Sequence, residues 1–190
     1  AGEKLLFADI TFGIDQGQKT ALIARNGTGK TTLLNVLAGV LAPDSGRVSR
    51  RNDLRMAYLP QNPPIPEGVT IADYLFSSGH PASDAISSYE TALAVFNAHP
   101  DENATQALAD ATTRMDAANA WDFESRVREV ADRLGLGRFD QLADNLSGGQ
   151  RKKVALAAVL LAEAEFLILD EPTNHLDIEM TQWLENYLSR

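Results

Sequence analysis

The most informative part of the chain is ALIARNGTGKTTLLNVLAG, which occupies residues 21–39. Its short apolar start predicts a buried strand, and residues 31–39 predict an apolar helix that ends at Gly39. Between them, residues 24–31 fit the phosphate-binding pattern G-x-x-x-x-G-K-[ST], except that Ala24 stands at the first glycine position. This order of strand, loop and helix favours a nucleotide-binding turn over an ordinary glycine-rich turn.

The residues of this loop have the chemistry that a polyphosphate requires. Backbone N–H groups at the start of a helix bind anionic phosphate, and Gly27 and Gly29 allow the backbone to approach it closely. We expect Lys30 to neutralise the β- and γ-phosphates and the Thr31 hydroxyl to ligate Mg²⁺. Ala24 is an exception, because alanine tolerates a positive φ poorly and a tight turn at this position would strain it.

A second candidate site follows the apolar sequence FLIL at residues 166–169. This run predicts a buried strand, and the strands of a doubly wound sheet present their carboxyl ends to the ligand. Asp170 would then reach the Mg²⁺ shell, and Glu171 would orient or deprotonate an attacking water. The alternative is that the two carboxylates only cap the next helix before Pro172.

A third candidate site is LSGGQ at residues 146–150. A serine followed by two glycines at the start of a helix offers a hydroxyl and backbone N–H groups to an anion. The alternative is a plain helix start, since Ser147 is a good N-cap.

Composition excludes several classes of protein. The 190 residues include 17 basic and 26 acidic side chains, a net charge of −9, which argues against a general binder of the phosphate backbone. The absence of cysteine excludes a disulfide scaffold, a cysteine-ligated metal and a cysteine nucleophile. The longest apolar run, residues 154–162, is far shorter than the roughly 20 residues of a spanning helix. Both ends interrupt an element pattern, so we expect a fragment of a longer chain.

Outside these motifs, apolar spacing predicts strands in the first part of the chain and helices in the middle. Apolar residues recur at helical spacing on both sides of HPDENAT, residues 99–105, which predicts a helical hairpin over about residues 84–118. A third helix follows, with Gly135 just beyond its end. The predicted strands lie at residues 3–25, 46–49 and 54–60, the helical region at 70–134, and the later helices at 150–162 and from about 178.

Together these segments resemble the ATP-binding cassette (ABC) ATPases over nearly the whole chain. ARNGTGKTT looks like their Walker A, LSGGQ like their signature, and FLILDEP like their Walker B with its catalytic glutamate. Gln61, in AYLPQNP, is similar to their Q-loop glutamine. The sequence TNHLD at residues 173–177 and the hairpin between Gln61 and LSGGQ resemble the ABC-F class, and MDAANAWDFESRV resembles the first cassette of its Uup-like branch.

The resemblance implies an α/β P-loop NTPase cassette core with a β-rich N-terminal part and an inserted α-helical subdomain carrying the hairpin. Residues 1–69 and 150–190 would form the core and about 70–149 the subdomain. It implies ATP and Mg²⁺ as cofactors. The catalytic residues would be Glu171 and Gln61, the metal site Thr31, Gln61 and Asp170, and the nucleotide contacts Asn26, Gly27, Thr28, Gly29, Lys30, Thr31, Thr32, Ser147, Gly148, Gly149 and Gln150.

The resemblance also implies partners and a location. Cassettes bury ATP between the Walker A of one and the signature of another, so LSGGQ would serve a nucleotide held by a second cassette of the same full-length chain. The full protein would be a cytoplasmic ATPase acting in translation on the ribosome, with no membrane partner. The family's switch histidine and adenine-stacking aromatic residue have no counterpart in residues 1–190, so we expect this chain alone to hydrolyse ATP very slowly.

Other functions stay open on the sequence alone. One is the ATP-binding subunit of an ABC transporter, and another is a nucleotide-gated clamp without catalysis, against which Lys30, Asp170 and Glu171 argue. The chromosome-maintenance ATPases fit poorly, because long coiled coils separate their two halves. Direct RNA binding is not expected, since residues 80–120 carry six acidic groups and one basic group. His80 and His99 lie in polar stretches and are expected to be solvated, and His175 to be structural.

Overall fold

The computed structural model describes residues 5–77, 80 and 82–189. Within these residues the chain forms seven α-helices and one parallel sheet of two strands. It divides into two compact units, the first made of Ala1–Gln61 and Ala164–Pro172 and the second of Asn62–Glu163 and Thr173–Arg190. In chain order the elements are α1 (Lys30–Ala38), β1 (Met56–Leu59), α2 (Ile71–Phe76), α3 (Ser83–Ala98), α4 (Glu102–Ala117), α5 (Ala120–Arg133), a short 3-10 helix (Ala143–Asn145), α6 (Gly148–Leu161), β2 (Phe166–Leu169) and α7 (Ile178–Ser189).

The first unit contains the parallel pair of β1 and β2. Met56 pairs with Phe166 and Leu59 with Leu169, so the carboxyl ends of the two strands lie side by side. Leu59 and Ile168 are buried, whereas the other six strand residues are half-buried. The prediction of a buried strand at residues 166–169 therefore holds only in part. This mixture of helix with a parallel sheet confirms the predicted α/β class.

Helix α1 follows the loop as the sequence predicted. It ends at Gly39, which has φ 79° and donates its backbone N–H to the carbonyls of Asn35 and Val36. A left-handed glycine at this point satisfies carbonyls that the helix leaves without intrahelical donors.

The strands predicted at residues 3–25 and 46–49 are not formed in the described residues 5–25 and 46–49. The apolar side chains there lack a packed face, since Leu5 is 78% exposed and Ile23 is 90% exposed. A strand needs a hydrogen-bonded neighbour, and apolar composition alone supplies none. The predicted β-rich N-terminal part is therefore wrong for these residues, apart from the turn in which the Gln18 N–H donates to the carbonyl of Asp15.

The second unit is helical, as predicted. Helices α3 and α4 form the expected hairpin, and their contact is the most extensive between any two elements of the described chain. The turn between them ends at Asp101, whose carboxylate accepts the backbone N–H of Ala104 at 2.7 Å and so caps α4. The predicted stripe of α5 is buried throughout, at Phe123, Val127, Val130 and Leu134.

His80 corrects one expectation. Its side chain is only 9% exposed, and its ring stacks on the ring of Phe123 with centroids 3.8 Å apart. Its Nε2 lies 3.3 Å from Oε2 of Glu163. The other oxygen of this carboxylate, Oε1, pairs with Arg126 at 2.5 Å. A polar sequence context predicted a solvated histidine, but the ring covers an aromatic face of α5 instead. His99 is exposed, as expected.

Candidate functional site

The loop before α1 is shaped by two glycines with positive φ. Gly27 has φ 77°, and Gly29, the N-cap of α1, has φ 99°. A Cβ on Gly29 would also lie 3.0 Å from the Cβ of Leu6 and 3.3 Å from the ring of Phe7. Because other residues rarely adopt these angles, the local fold favours glycine at both positions.

Lys30 is held against this loop by three oxygen acceptors. Its Nζ donates to the carbonyl of Ala24 at 2.9 Å, to the carbonyl of Arg25 at 3.2 Å and to Oδ1 of Asn26 at 3.1 Å. The Thr28 hydroxyl donates to the Arg25 carbonyl at 2.7 Å. The loop thus positions an ammonium group that can exchange these acceptors for phosphate oxygens.

Ala24 does not carry the strain that its place in the pattern suggested. Ala24 is not one of the described residues that have a positive φ. An alanine is therefore compatible with this loop, and its carbonyl serves as one of the acceptors of Lys30. Thr31 and Thr32 follow in the first turn of α1 and are half-buried.

Asp170 comes directly after β2 and is 2% exposed. Its backbone N–H donates to the carbonyl of Leu59 at 2.9 Å, which fixes it at the carboxyl end of the strand pair. Its Oδ2 is buried and makes no hydrogen bond to the described part of the chain. A buried carboxylate oxygen without a donor is unfavourable unless a cation or water satisfies it.

A tyrosine that the sequence analysis did not identify lies near this carboxylate. Burial raises the pKa of Tyr58, and the negative charge of Asp170 raises the same pKa further. The Tyr58 hydroxyl donates to Oδ1 of Asn35 on α1 at 2.9 Å. This hydrogen bond joins β1 to α1. The sequence did not predict it, because a tyrosine in a short apolar strand does not indicate a partner for its hydroxyl.

The two parallel strands bring Gln61 and Glu171 together. Leu59 pairs with Leu169 at the end of the sheet, and Gln61 and Glu171 each follow two residues beyond this pair. The Gln61 Nε2 donates to Oε2 of Glu171 at 3.4 Å. Glu171 has φ 50°, an uncommon conformation for a non-glycine residue and one that is found more often at functional sites.

The donor set fits Mg²⁺ better than a metal held by protein ligands alone. No group of three or more histidine and acidic residues able to hold a metal occurs in residues 5–77, 80 and 82–189. Magnesium usually keeps several waters and takes one or two carboxylates together with phosphate oxygens. The unsatisfied Oδ2 of Asp170, with the hydroxyl of Thr31 and the amide oxygen of Gln61, suits such an ion.

LSGGQ forms the start of α6, in the second unit. Ser147 is the N-cap, and its Oγ accepts the N–H of Gln150 at 3.3 Å while its own N–H donates to Oε1 of Gln150 at 2.9 Å. This reciprocal pair is a capping box, so Ser147 and Gln150 do serve the helix itself. The capped-helix alternative therefore accounts for two of the residues.

The two glycines of this motif have no such internal role. A Cβ on Gly148 would meet nothing within 4 Å, and one on Gly149 would lie at ordinary contact distance, 3.4 Å, from His175. Neither glycine has positive φ. Alanine would fit at both positions and favour the helix, so the fold does not explain the glycines. Close approach of an external group to the backbone N–H groups would explain them.

Among the residues that the structure describes, no helix has the length and apolar composition needed to cross a membrane.

Comparison with known proteins agrees with these motifs. The profile of the family described as ABC transporter matches residues 7–174. The uncharacterized ABC transporter ATP-binding protein YfmR of Bacillus subtilis is 40% identical over the whole chain, which spans 30% of that protein's length. The ATP-binding protein Uup of Haemophilus influenzae is 35% identical over 92% of the chain and 27% of its own length.

A third relative is the energy-dependent translational throttle protein EttA of Mycobacterium tuberculosis, 30% identical over 99% of the chain and 34% of its own length. The chain thus spans about a third of the length of these relatives.

Two solved structures share the fold. The structure of an ATP-binding subunit of an ABC transporter superposes with a TM-score of 0.65 at 23% identity, over 97% of this chain and 67% of that one. An archaeal ribosome recycling factor, aABCE1, in complex with the ribosomal stalk protein aP1, has a TM-score of 0.58 at 26% identity, over 93% of this chain and 27% of that one. The likeness to Uup and EttA confirms the resemblance to the ABC-F class, and the chain belongs to the ATP-binding cassette family.

Proposed function

We propose that the full-length protein is a cytosolic ABC-F ATPase that hydrolyses ATP and acts in translation on the ribosome. The observation that best supports ATP hydrolysis is the hydrogen bond between Gln61 and Glu171. It pairs a polar amide with a candidate base just beyond the carboxyl ends of two parallel strands. The buried, unsatisfied Asp170 supplies a place for the ion that such a reaction needs. We also propose that residues 1–69 and 150–190 form a core and that residues from about 70 to 149 form a helical subdomain.

In this proposal each residue of the first unit has one task. Lys30 leaves its three loop acceptors to bind the β- and γ-phosphates, and the glycine loop with the first turn of α1 offers backbone N–H groups to the same oxygens. Thr31 and Asp170 would hold the Mg²⁺, which neutralises charge on the phosphates when bound. Glu171 accepts the proton of the attacking water while Gln61 orients it.

The signature of this chain acts on a different nucleotide. Gly148 and Gly149 leave the backbone of the first turn of α6 open to an approaching group, and the fold gives no reason for either glycine. We assign this surface to the γ-phosphate of an ATP held by the second cassette of the full-length chain. The present chain would then bind Mg·ATP weakly and turn it over very slowly by itself.

The ribosome part of the proposal is supported by the relatives. EttA is named a translational throttle protein, and aABCE1 a ribosome recycling factor. The alternative is the ATP-binding subunit of a transporter, which is supported by the name of YfmR and by the structural likeness to a transporter subunit.

Sedimentation separates the two functions. The Glu171→Gln variant of the full-length protein should co-sediment with purified ribosomes in ATP and not in ADP, because it binds ATP without hydrolysing it. Lys30→Ala is the matched control and should remain unbound in either nucleotide. Recovery of Glu171→Gln with membrane vesicles, and not with ribosomes, would favour the transporter.

A further inference from the structure

A hydrogen bond between Tyr58 and Asn35 joins strand β1 to helix α1 inside the first unit. The Tyr58 hydroxyl donates to Oδ1 of Asn35 at 2.9 Å, and the bond is partly buried. Breaking it would leave a polar group without a partner in a place that water reaches only in part, which is unfavourable. The bond therefore fixes the helix and the strand to each other at this level.

Tyr58 and Asp170 share one face of the sheet. Tyr58 pairs with Ile168, and paired residues of neighbouring parallel strands point to the same face. Asp170 follows Ile168 by two positions, and Phe166 and Asp170 both donate their backbone N–H groups to the β1 segment, so the alternation of the strand continues to Asp170. Burial and then the charge of Asp170 raise the pKa of Tyr58, which agrees with this placement.

On the helix side, Thr31 and Asn35 are one turn apart in α1. Residues at i and i+4 lie on the same face of a helix, so the face that Asn35 presents to Tyr58 also carries Thr31. One helical turn rises about 5.4 Å, and two residues of strand span about 6.6 Å. Thr31 and Asp170 are thus each one such step from the hydrogen bond between Tyr58 and Asn35.

We propose that Tyr58 is a positioning residue for the magnesium site. Through Asn35 its hydroxyl fixes α1 to β1 and so sets the separation of Thr31 from Asp170. Magnesium demands nearly ideal octahedral geometry, with ligands at about 2.0–2.1 Å, so a small shift between two of its ligands weakens its binding. This inference rests on the proposed function, in which Thr31 and Asp170 hold the Mg²⁺ of bound ATP.

The proposal predicts that loss of the hydroxyl affects the ion more than the nucleotide. The phosphate contacts come from the loop around Lys30 and the first turn of α1, which are continuous in the chain and move together. ATP without a metal should therefore bind equally well when the bond between Tyr58 and Asn35 is absent. The gain in affinity that Mg²⁺ brings should become smaller.

Tyr58→Phe in the full-length protein tests this, because it removes the hydroxyl and keeps the ring. A fluorescent ATP analogue is titrated in Mg²⁺ and in EDTA, and the binding that Lys30→Ala weakens is assigned to this site. We expect the Kd in EDTA to change less than about twofold. The Kd in Mg²⁺ should rise at least about threefold, the usual effect of one lost buried hydrogen bond on an equilibrium.

Asn35→Ala is the second variant, since it removes the acceptor and leaves Tyr58 in place. It should reduce the gain from Mg²⁺ by a similar factor. The double variant should be less than about twofold worse than either single variant, because all three lose the same hydrogen bond. Tyr187→Phe is the matched control, since its partly buried hydroxyl donates to the carbonyl of Leu160 at 3.1 Å in the second unit. It should leave both Kd values unchanged.

Four results would each overturn the inference. They are an unchanged Kd in Mg²⁺ for Tyr58→Phe, an equal loss of affinity in Mg²⁺ and EDTA, additive losses in the double variant, and a reduced gain from Mg²⁺ in Tyr187→Phe. A full-length wild-type protein whose ATP binding does not respond to Mg²⁺ or to Lys30→Ala would instead contradict the proposed function.

Discussion

Gln61 and Glu171 lie 110 residues apart in sequence, yet the Gln61 amide donates to the Glu171 carboxylate at 3.4 Å. The pairing of two short parallel strands makes this relationship possible, because it brings Leu59 beside Leu169, and Gln61 and Glu171 follow two residues later. The amide can therefore orient a water or an ion beside the carboxylate without a further connecting residue.

Glu171→Gln in the full-length protein should retain ATP binding and lose turnover. The amide keeps the shape of the side chain but cannot accept the proton of the attacking water, so the rate should fall by a factor of at least about 100. Binding is measured with a fluorescent ATP analogue and turnover in a single-turnover experiment. Hydrolysis at a near-normal rate would show that Glu171 is not the base.

Lys30→Ala should differ by losing nucleotide binding itself. The variant removes the charge that faces the phosphates and leaves the carbonyls of Ala24 and Arg25 without the donor that they now share. We expect the Kd for Mg·ATP to rise at least about tenfold in the same binding assay, since charge-assisted hydrogen bonds contribute about 1.5–3 kcal/mol. An unchanged Kd would contradict this role of Lys30.

Gly148→Ala should separate stability from activity. No atom lies within 4 Å of the added methyl group, and alanine favours a helix over glycine by up to about 1 kcal/mol, so the free energy of unfolding should stay equal or rise. ATP turnover of the full-length protein should fall, because the methyl group blocks the backbone approach. Gly29→Ala should instead lower the free energy of unfolding through its φ of 99° and its contact with Leu6. Gly137→Ala, also in open space, is the neutral control.

Acid should weaken the ion pair at the end of α6. The hydrogen bond from Arg126, opposed in part by burial and supported by His80, holds the pKa of Glu163 below its usual range. A carboxylate with a lowered folded pKa stabilises the fold above its unfolded pKa, and this contribution is lost as pH falls through the folded pKa.

Glu163→Gln should therefore be less stable than wild type at pH 7, by less than about 1 kcal/mol because the pair is partly exposed. The difference should shrink as pH falls below the ordinary glutamate value of 4.5. Urea unfolding at pH 7 and in mild acid measures it, with Glu129→Gln on the exposed side of α5 as the control. Parallel pH dependences for wild type and Glu163→Gln would contradict the assignment.

The chain should show no salt-sensitive affinity for RNA. The six acidic groups of residues 80–120 are all exposed, with Arg114 as the single arginine or lysine among them, so phosphate would be repelled. A titration against structured RNA at low and moderate salt measures this. Micromolar binding with a steep salt dependence, lost when the hairpin of α3 and α4 is deleted, would contradict the prediction.

The sequence predicted the elements whose stability depends on local spacing. The α5 stripe from Phe123 to Leu134 is buried as its periodicity indicated, and Gly39 ends α1 as expected. The prediction of strands at residues 5–25 was wrong because a strand depends on a partner that apolar composition does not identify. The prediction that His80 is solvated was wrong for a related reason, since the Phe123 ring on which it stacks lies 43 positions away in sequence.

The residues of the candidate site could be predicted from the sequence to different extents. The loop around Lys30 follows from chemistry and spacing, but the role of Gln61 came only from the resemblance, because an isolated glutamine in a loop has no signal of its own. The finding that the fold does not need Gly148 and Gly149 required coordinates, since only the space beside each α-carbon shows that alanine would fit there.

The pairing of β1 with β2 also bears on how the chain folds during synthesis. Met56 leaves the ribosome 110 residues before its partner Phe166, whereas α3, α4 and α5 are consecutive in sequence and pack on one another. Contacts between distant residues form slowly because a long loop must first close. We therefore expect helices α3 to α5 to acquire structure first, and the carboxylates after β2 to take their places only when the last third of the chain has been translated.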